Sequence, residues 1–236
     1  MNLSVPQLQA LVHAATLAPS SHNTQPWLFR IEDQAIELLA DRTRALPVND
    51  PDDRELTISC GCALFNLRVA AAAAGLQAQV EPWPDADDGD LLARVHLLPT
   101  GSGQEVAALK AAMDERRTYR ERFASTAVDP TALRSLVDAV HWEAASLAVL
   151  TTVGDSPRDW LAAGQALQRL LLLGVQLGLQ ASYLNQPVQV ATLRSKLQQL
   201  TGCPGYAQLL LRIGTPTQVK PAAPRRPLAD VLVTAS

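Results

Sequence analysis

The chain has 236 residues, 47% of them apolar, which suits one large domain or two small ones around a shared core. A net charge of −3 gives no global basic field, so nucleic-acid binding is not expected. Three cysteines, an odd number, exclude a disulfide framework; Cys60 and Cys62, without further Cys or His beside them, do not make a metal site.

The opening residues, Met1 to Pro6, lack the basic stretch of a secretory leader, and a reduced, cytoplasmic setting is expected. Residues 5–17 carry apolar side chains at helical spacing. Ser4 is the N-cap, Pro6 falls in the first turn, and Pro19 stops the helix. His13 reads as a residue of this helix and not as a ligand. Next comes a loop of turn formers and short polar residues: Ser20, Ser21, His22, Asn23, Thr24 and Gln25. A connection needs turn chemistry, but not so many hydrogen-bonding groups together. Such a set suits a planar heterocycle with several carbonyls and ring nitrogens; a polar surface loop is the alternative.

Strands follow at 27–31 and 35–40, as a hairpin. Asp50 to Glu55 reads as a helix N-terminus with acid in its first turn, and capping accounts for it. An apolar helix then runs to Gly75. Strands at 77–82 and 92–98 flank an acidic turn from Asp85 to Asp90. Residues 100–103 read as a linker; Gly101-Ser102-Gly103 lacks the third glycine of a dinucleotide fingerprint. A helix at 104–115 leads into Arg116, Arg117, Thr118, Tyr119, Arg120, Glu121 and Arg122, which contains four arginines. A solvated helix end explains one or two of them. A second pair, Arg225 and Arg226, stands in the Pro-rich tail. Guanidinium forks pair with phosphate oxygens, and one phosphate monoester would gather both clusters.

A helix is expected at 131–141 and a strand at 146–152. Asp155-Ser156-Pro157 caps a helix ending at Gly178. A strand at 180–184, a helix at 190–200 and a strand at 207–213 complete the chain. The longest apolar run, within 161–184, is interrupted by Gln165, Gln168, Arg169 and Gln176, so no membrane span is expected. Gly-x-Ser-x-Gly, Walker and His-Glu-x-x-His motifs are absent, and Ser20, Ser21 and His22 are merely adjacent, which speaks against a hydrolase.

The chain also repeats itself. Gly61, Ala63, Leu64 and Leu67 coincide with Gly164, Ala166, Leu167 and Leu170. At the same offset, Gly75-Leu76-Gln77-Ala78 falls on Gly178-Leu179-Gln180-Ala181, and Pro84 on Pro187. Each copy reads as a buried helix, a Gly cap and a strand. Chance similarity of two Ala/Leu-rich helices is the alternative. Two related halves are expected to pack about a pseudo-twofold.

These residues resemble the FMN-dependent nitroreductases, and within them the Acg-type branch. Ala18-Pro19-Ser20-Ser21-His22-Asn23-Thr24-Gln25-Pro26-Trp27 is similar to the family's Pro-Ser-x-x-Asn-x-Gln-Pro-Trp signature. Arg116-Arg117-Thr118-Tyr119-Arg120 resembles its phosphate motif, Gly178-Leu179-Gln180-Ala181-Ser182 its Gly-Leu-Gly segment, and Pro224-Arg225-Arg226 its basic tail. The resemblance implies an α+β, three-layer nitroreductase-like fold made of two related halves, an intrachain pseudo-dimer. Residues 1–100 carry the Pro-Ser loop; residues 104–236 carry the arginine motif and tail. Together they imply one complete FMN site per chain. Its implied residues are Ser20, Ser21, His22, Asn23, Gln25, Arg116, Arg117, Thr118, Arg120, Ser182, Arg225 and Arg226, with no catalytic side chain and no metal. The implied activity is reduction of FMN by NAD(P)H and electron transfer to a nitroaromatic, quinone or similar small-molecule acceptor. An FMN-sequestering stress protein without turnover stays open beside it, as does a remnant that has lost FMN. So does further homodimerisation. The chain departs from the branch between Thr152 and Asp155, where a longer segment is expected.

Overall fold

The computed structural model describes residues 3–32, 34–99, 104–125, 128–129, 131, 146–202 and 204–234. The expected linker at 100–103 and nearly all of the expected helix at 131–141 lie outside these residues. The organising element is helix α2 (Arg54–Ala73), buried along almost its whole length. Apolar residues occur all round it, which is the pattern of a core helix and not of a surface one. It has the length and hydropathy of a membrane-crossing helix, yet 83% of its apolar window is buried within the protein.

Helix α5 (Pro157–Gln176) packs on α2 more extensively than any other pair of elements packs. The two are the repeated helices, and they meet at the repeated glycines. A Cβ on Gly61 would sit 2.9 Å from the Gly164 Cα, and one on Gly164 would sit 2.8 Å from the Gly61 Cα. The helices end alike as well. Gly75 and Gly178, each just beyond its helix, have φ of +74° and +72°, the left-handed conformation that closes a helix most cheaply at glycine.

The strands around these helices share one plan. In the first part of the chain β2 (Ala35–Ala40), β3 (Leu76–Pro82) and β4 (Leu91–Pro99) lie in the order β3-β4-β2, all antiparallel. In the second, β5 (Ser146–Thr152), β6 (Gln180–Tyr183) and β7 (Tyr206–Gly214) lie in the order β6-β7-β5, also antiparallel. The main difference is the β6–β7 connection, where α6 (Gln186–Gln189) and α7 (Ala191–Thr201) replace the short acidic turn between β3 and β4. The fold is thus mixed α+β, with helix α1 (Val5–Thr16) packed on α2 and β1 (Trp27–Glu32) paired to β2.

Two elements differ from the sequence expectation. The helix expected at 104–115 is two short pieces, α3 (Gln104–Ala107) and α4 (Ala112–Glu115), and the arginine segment after it is extended. Tyr119 anchors that segment: its backbone N–H donates to the Ala181 carbonyl at 2.8 Å, and its ring is buried. The C-terminal tail forms α8 (Leu228–Val231) and β8 (Leu232–Val233), which pairs in parallel with β1. The C-terminal tail therefore joins the sheet of the N-terminal strands. Two residues of pairing carry too little periodicity to be seen in a sequence.

Candidate functional site

Two cavities lie side by side where the Pro19–Gln25 loop, the arginine segment and the ends of α2 and β6 converge. The first, of about 510 Å³, is lined by Ser20, Asn23, Arg116, Arg117, Thr118, Arg120 and the tail around Arg225. The second, of about 240 Å³, is lined by Ser20, Ser21, His22, Glu55, Tyr183, Asn185 and Gln189 over apolar Ile58, Leu167 and Leu209. Pro19, Ser20, Thr118 and Arg120 belong to both walls, so the cavities are contiguous.

The loop is held in a demanding conformation. His22, Asn23 and Gln25 all have positive φ, at 48°, 57° and 52°. Each such non-glycine residue costs about 1–3 kcal/mol, and such strain persists only where surrounding contacts over-determine it. Those contacts are present. The Ser21 N–H donates to Ser59 Oγ at 3.2 Å, and Ser21 Oγ donates to Glu55 Oε2 at 2.5 Å. The Gln25 N–H donates to Ser20 Oγ, and Asn23 Nδ2 donates to the Pro224 carbonyl in the tail.

The first cavity is cationic on balance, its four arginines and Lys220 outnumbering Asp114 and Glu121. Arg116 is 5% exposed, and its Nε and Nη1 are buried without a hydrogen-bond partner. Burial pulls its pKa down, and neighbouring Arg117 adds to this. Arg225 is held down to about 10 by burial and by the charges of Arg116 and Arg117, and its Nε is also unpartnered. Buried guanidinium donors normally find acceptors. Mutually repelling arginines with orphaned N–H groups around one cavity have the chemistry to hold a multiply charged anion.

The arginines do not play equal parts. In an extended segment side chains alternate, so Arg116, Thr118 and Arg120 fall on one side while Tyr119 is buried on the other. Arg117 folds back: its Nη1 donates to the carbonyls of Asp114 and Arg116, and its Nε to that of Lys220. Arg226 turns away from both cavities. It pairs with Asp41 at 2.9 Å and donates to the Gln25 and Trp27 carbonyls, pinning the tail to β1. Gln25 is drawn into the same job, its Oε1 accepting from the Arg226 backbone N–H at 2.8 Å. Ser182 is buried in β6 and lines neither cavity. Its neighbour Tyr183 points the other way, as strand alternation requires, and lines the second cavity.

Several site residues were not legible as such in the sequence. Capping of α2 falls to Asp50, whose carboxylate accepts from the Glu55 and Leu56 N–H groups. The Glu55 carboxylate instead sits under the second cavity, 3% exposed, accepting from Ser21 and from Gln189 Nε2. Tyr183 brings a buried hydroxyl with no partner, and burial pushes its pKa up. A carboxylate at the head of a largely apolar, buried helix was the available signal for Glu55.

No protein-family model matches the chain. Over 126 residues, 52% of its length, it is 40% identical to a Mycobacterium tuberculosis protein provisionally named NAD(P)H nitroreductase Rv3131. Over 118 residues it is 40% identical to the one provisionally named NAD(P)H nitroreductase acg from the same organism. The chain is related to the Acg-type nitroreductases. A further relative, the uncharacterized protein Rv3127 of that organism, is 34% identical over 171 residues, or 70% of this chain. The matched stretches span 37%, 36% and 48% of these three relatives, less than half of each.

Proposed function

We propose that the chain binds FMN across the two contiguous cavities and acts as a nitroreductase-type oxidoreductase. It would use NAD(P)H as donor and a nitroaromatic, quinone or similar small molecule as acceptor. The observation that carries this reading is Arg116, a buried cation with two orphaned donors in the wall of a cavity that Arg225 also lines. A terminal phosphate supplies the oxygens these groups lack, with charge-assisted bonds. The neighbouring cavity offers what a flat heterocycle needs: an apolar floor of Ile58, Leu167 and Leu209 beneath a polar rim.

When bound, FMN would supply the electron exchange between NAD(P)H and acceptor. The protein's part is placement. Arg116 and Arg225 fix the anionic end. Ser20 and Thr118, common to both walls, provide hydroxyls between the two compartments. Glu55 fixes Ser21 and Gln189, and through Ser21 it keeps the strained loop closed over the site. The apolar floor excludes water. No side chain has to act as acid or base.

The chain is further proposed to be a fused pair of nitroreductase-like halves, residues 1–100 and 104–236. The matching strand orders and the mutual approach of Gly61 and Gly164 support this. One half brings the loop, the other the arginines, so one complete site results.

The test is the purified protein itself. A yellow protein with a flavin spectrum, oxidising NAD(P)H in the presence of a nitroaromatic or quinone, is the expected result. Bound flavin without turnover would assign the chain to flavin holding alone. A colourless protein that takes up no FMN on titration would overturn the proposal.

A further inference from the structure

The repeat that relates α2 to α5 also relates two cavities. A third cavity, of about 450 Å³, is lined by residues that include Arg68, Val80, Trp83, Arg158, Leu161 and Gln165. Stepping by the 103 residues that separate Gly61 from Gly164 carries Val80 to Tyr183 and Trp83 to Gln186. The reverse step carries Leu161 to Ile58 and Arg158 to Glu55. All four counterparts line the second cavity. The third cavity is therefore its equivalent on the other side of the helix crossing.

The position is equivalent, but the chemistry is inverted. Where the second cavity has a buried carboxylate, the third has the Arg158 guanidinium. Gln186 is replaced by an indole, and the Tyr183 phenol by Val80. Arg158 lies over the Trp83 ring, 5.8 Å from its centroid, and Arg68 donates to Gln165 Oε1 at 2.8 Å. Neither arginine is ion-paired among the described residues, and no carboxylate lines the cavity. Arg68 is half-buried, and its desolvation lowers its pKa, as does nearby Arg169. Trp83 has a φ of +48°, a conformation a bulky aromatic adopts only when held there. It rests half-buried against the core.

We propose that this cavity is a second ligand site, taking a small planar aromatic carboxylate. Two guanidinium groups without a counter-charge call for an anion. The indole, Val80 and Leu161 call for a flat apolar body beside it. With Gln165 as the amide among them, these groups offer little to a ribose. The site is separate from the one proposed for FMN and does not rest on that reading.

The probe is 1-naphthoate, titrated calorimetrically into the full chain, with neutral 1-naphthalenemethanol as its isostere. Saturable one-to-one binding of the acid is expected, with the alcohol at least about tenfold weaker, since charge-assisted bonds contribute about that factor or more. Arg158→Gln is at an exposed position and leaves folding intact; it should weaken the acid about tenfold and leave FMN titrations unchanged. Arg68→Lys, which keeps the charge, should weaken it less than Arg68→Gln. Equal binding of acid and alcohol, indifference to Arg158→Gln, or displacement of naphthoate by FMN would each overturn the proposal.

Discussion

Gly61 and Gly164 face each other where the two central helices cross, each occupying the place where a side chain on the other would have to go. The geometry is reciprocal. A Cβ on Gly61 would run into the Leu161 carbonyl oxygen, and one on Gly164 into that of Ile58; Leu161 and Ile58 each lie one turn before their glycine. An isologous contact has this form: residue i of one element meets j of the other, and j meets i.

Alanine at either position is therefore expected to destabilise by about 1–3 kcal/mol or more, because backbone, unlike a side-chain tip, cannot swing aside. The paired substitution should cost less than the sum, since the first forces the helices apart. Urea unfolding of the two single variants and the double variant checks this. Full additivity would mean that the crossing already has slack.

Arg116, which is buried, and Arg226, which is half-buried, should separate cleanly. Arg116→Met removes an unpartnered buried cation, so ligand-free stability should hold or rise. FMN affinity should fall at least about tenfold while riboflavin, which lacks the phosphate, hardly responds. Arg226→Ala instead takes a half-buried guanidinium from the buried Asp41 carboxylate, costing about 1–3 kcal/mol, and should loosen the tail and weaken both flavins together. Paired fluorescence titrations give the four flavin affinities, and chemical denaturation gives the two stabilities. A riboflavin loss as large as the FMN loss in Arg116→Met would remove the phosphate assignment.

Glu55→Ala leaves Ser21 and Gln189 without their shared acceptor. These half-buried donors, and the buried Arg54 guanidinium that Glu55 also pairs with, lose an acceptor at a cost of about 1–3 kcal/mol, and the strained loop should open. FMN and riboflavin should weaken in parallel, because the ring compartment and not the phosphate compartment is disturbed. Hydrogen exchange of residues 20–25 should quicken. Unchanged riboflavin affinity would place the ring elsewhere.

Asp155 sets an acid-sensitive contribution. Burial raises its pKa, but hydrogen bonds from Arg194, Gln208 and Trp160 outweigh that and hold it at about 2, against an ordinary 3.8. A depressed carboxylate stabilises the fold above its unfolded pKa and loses that contribution as pH falls through the folded one. The contribution is thus full above roughly pH 4 and gone near pH 2, worth about 1–2 kcal/mol once partial exposure is allowed for. Asp155→Asn should flatten the stability profile across that window. An unaltered acid limb would show that Asp155 is not its source.

Much of the architecture was written locally. Pro19 stops α1, the left-handed positions after α2 and α5 fall on Gly75 and Gly178, and the repeated Gly-x-Ala-Leu marks the helices that meet. These features depend on backbone conformation and side-chain size within a few residues, which a sequence states directly. The clustering of polar groups at 20–25 and of arginines at 116–122 and 225–226 was legible in the same way. What each of those groups does was not. Arg225 and Arg226 are adjacent in the chain, yet one lines a cavity and the other is bound to Asp41, and only the docking of β8 onto β1 separates them. Arg116 and Arg117 diverge because their segment is extended, a consequence of Tyr119 bonding to Ala181 across 62 residues of chain. Within the Asp50–Glu55 helix start, Asp50 does cap α2, but Glu55 meets Ser21 and Gln189 instead. A charged group's role follows from the partner it meets, and partners distant along the chain are chosen by packing, which only the folded structure contains.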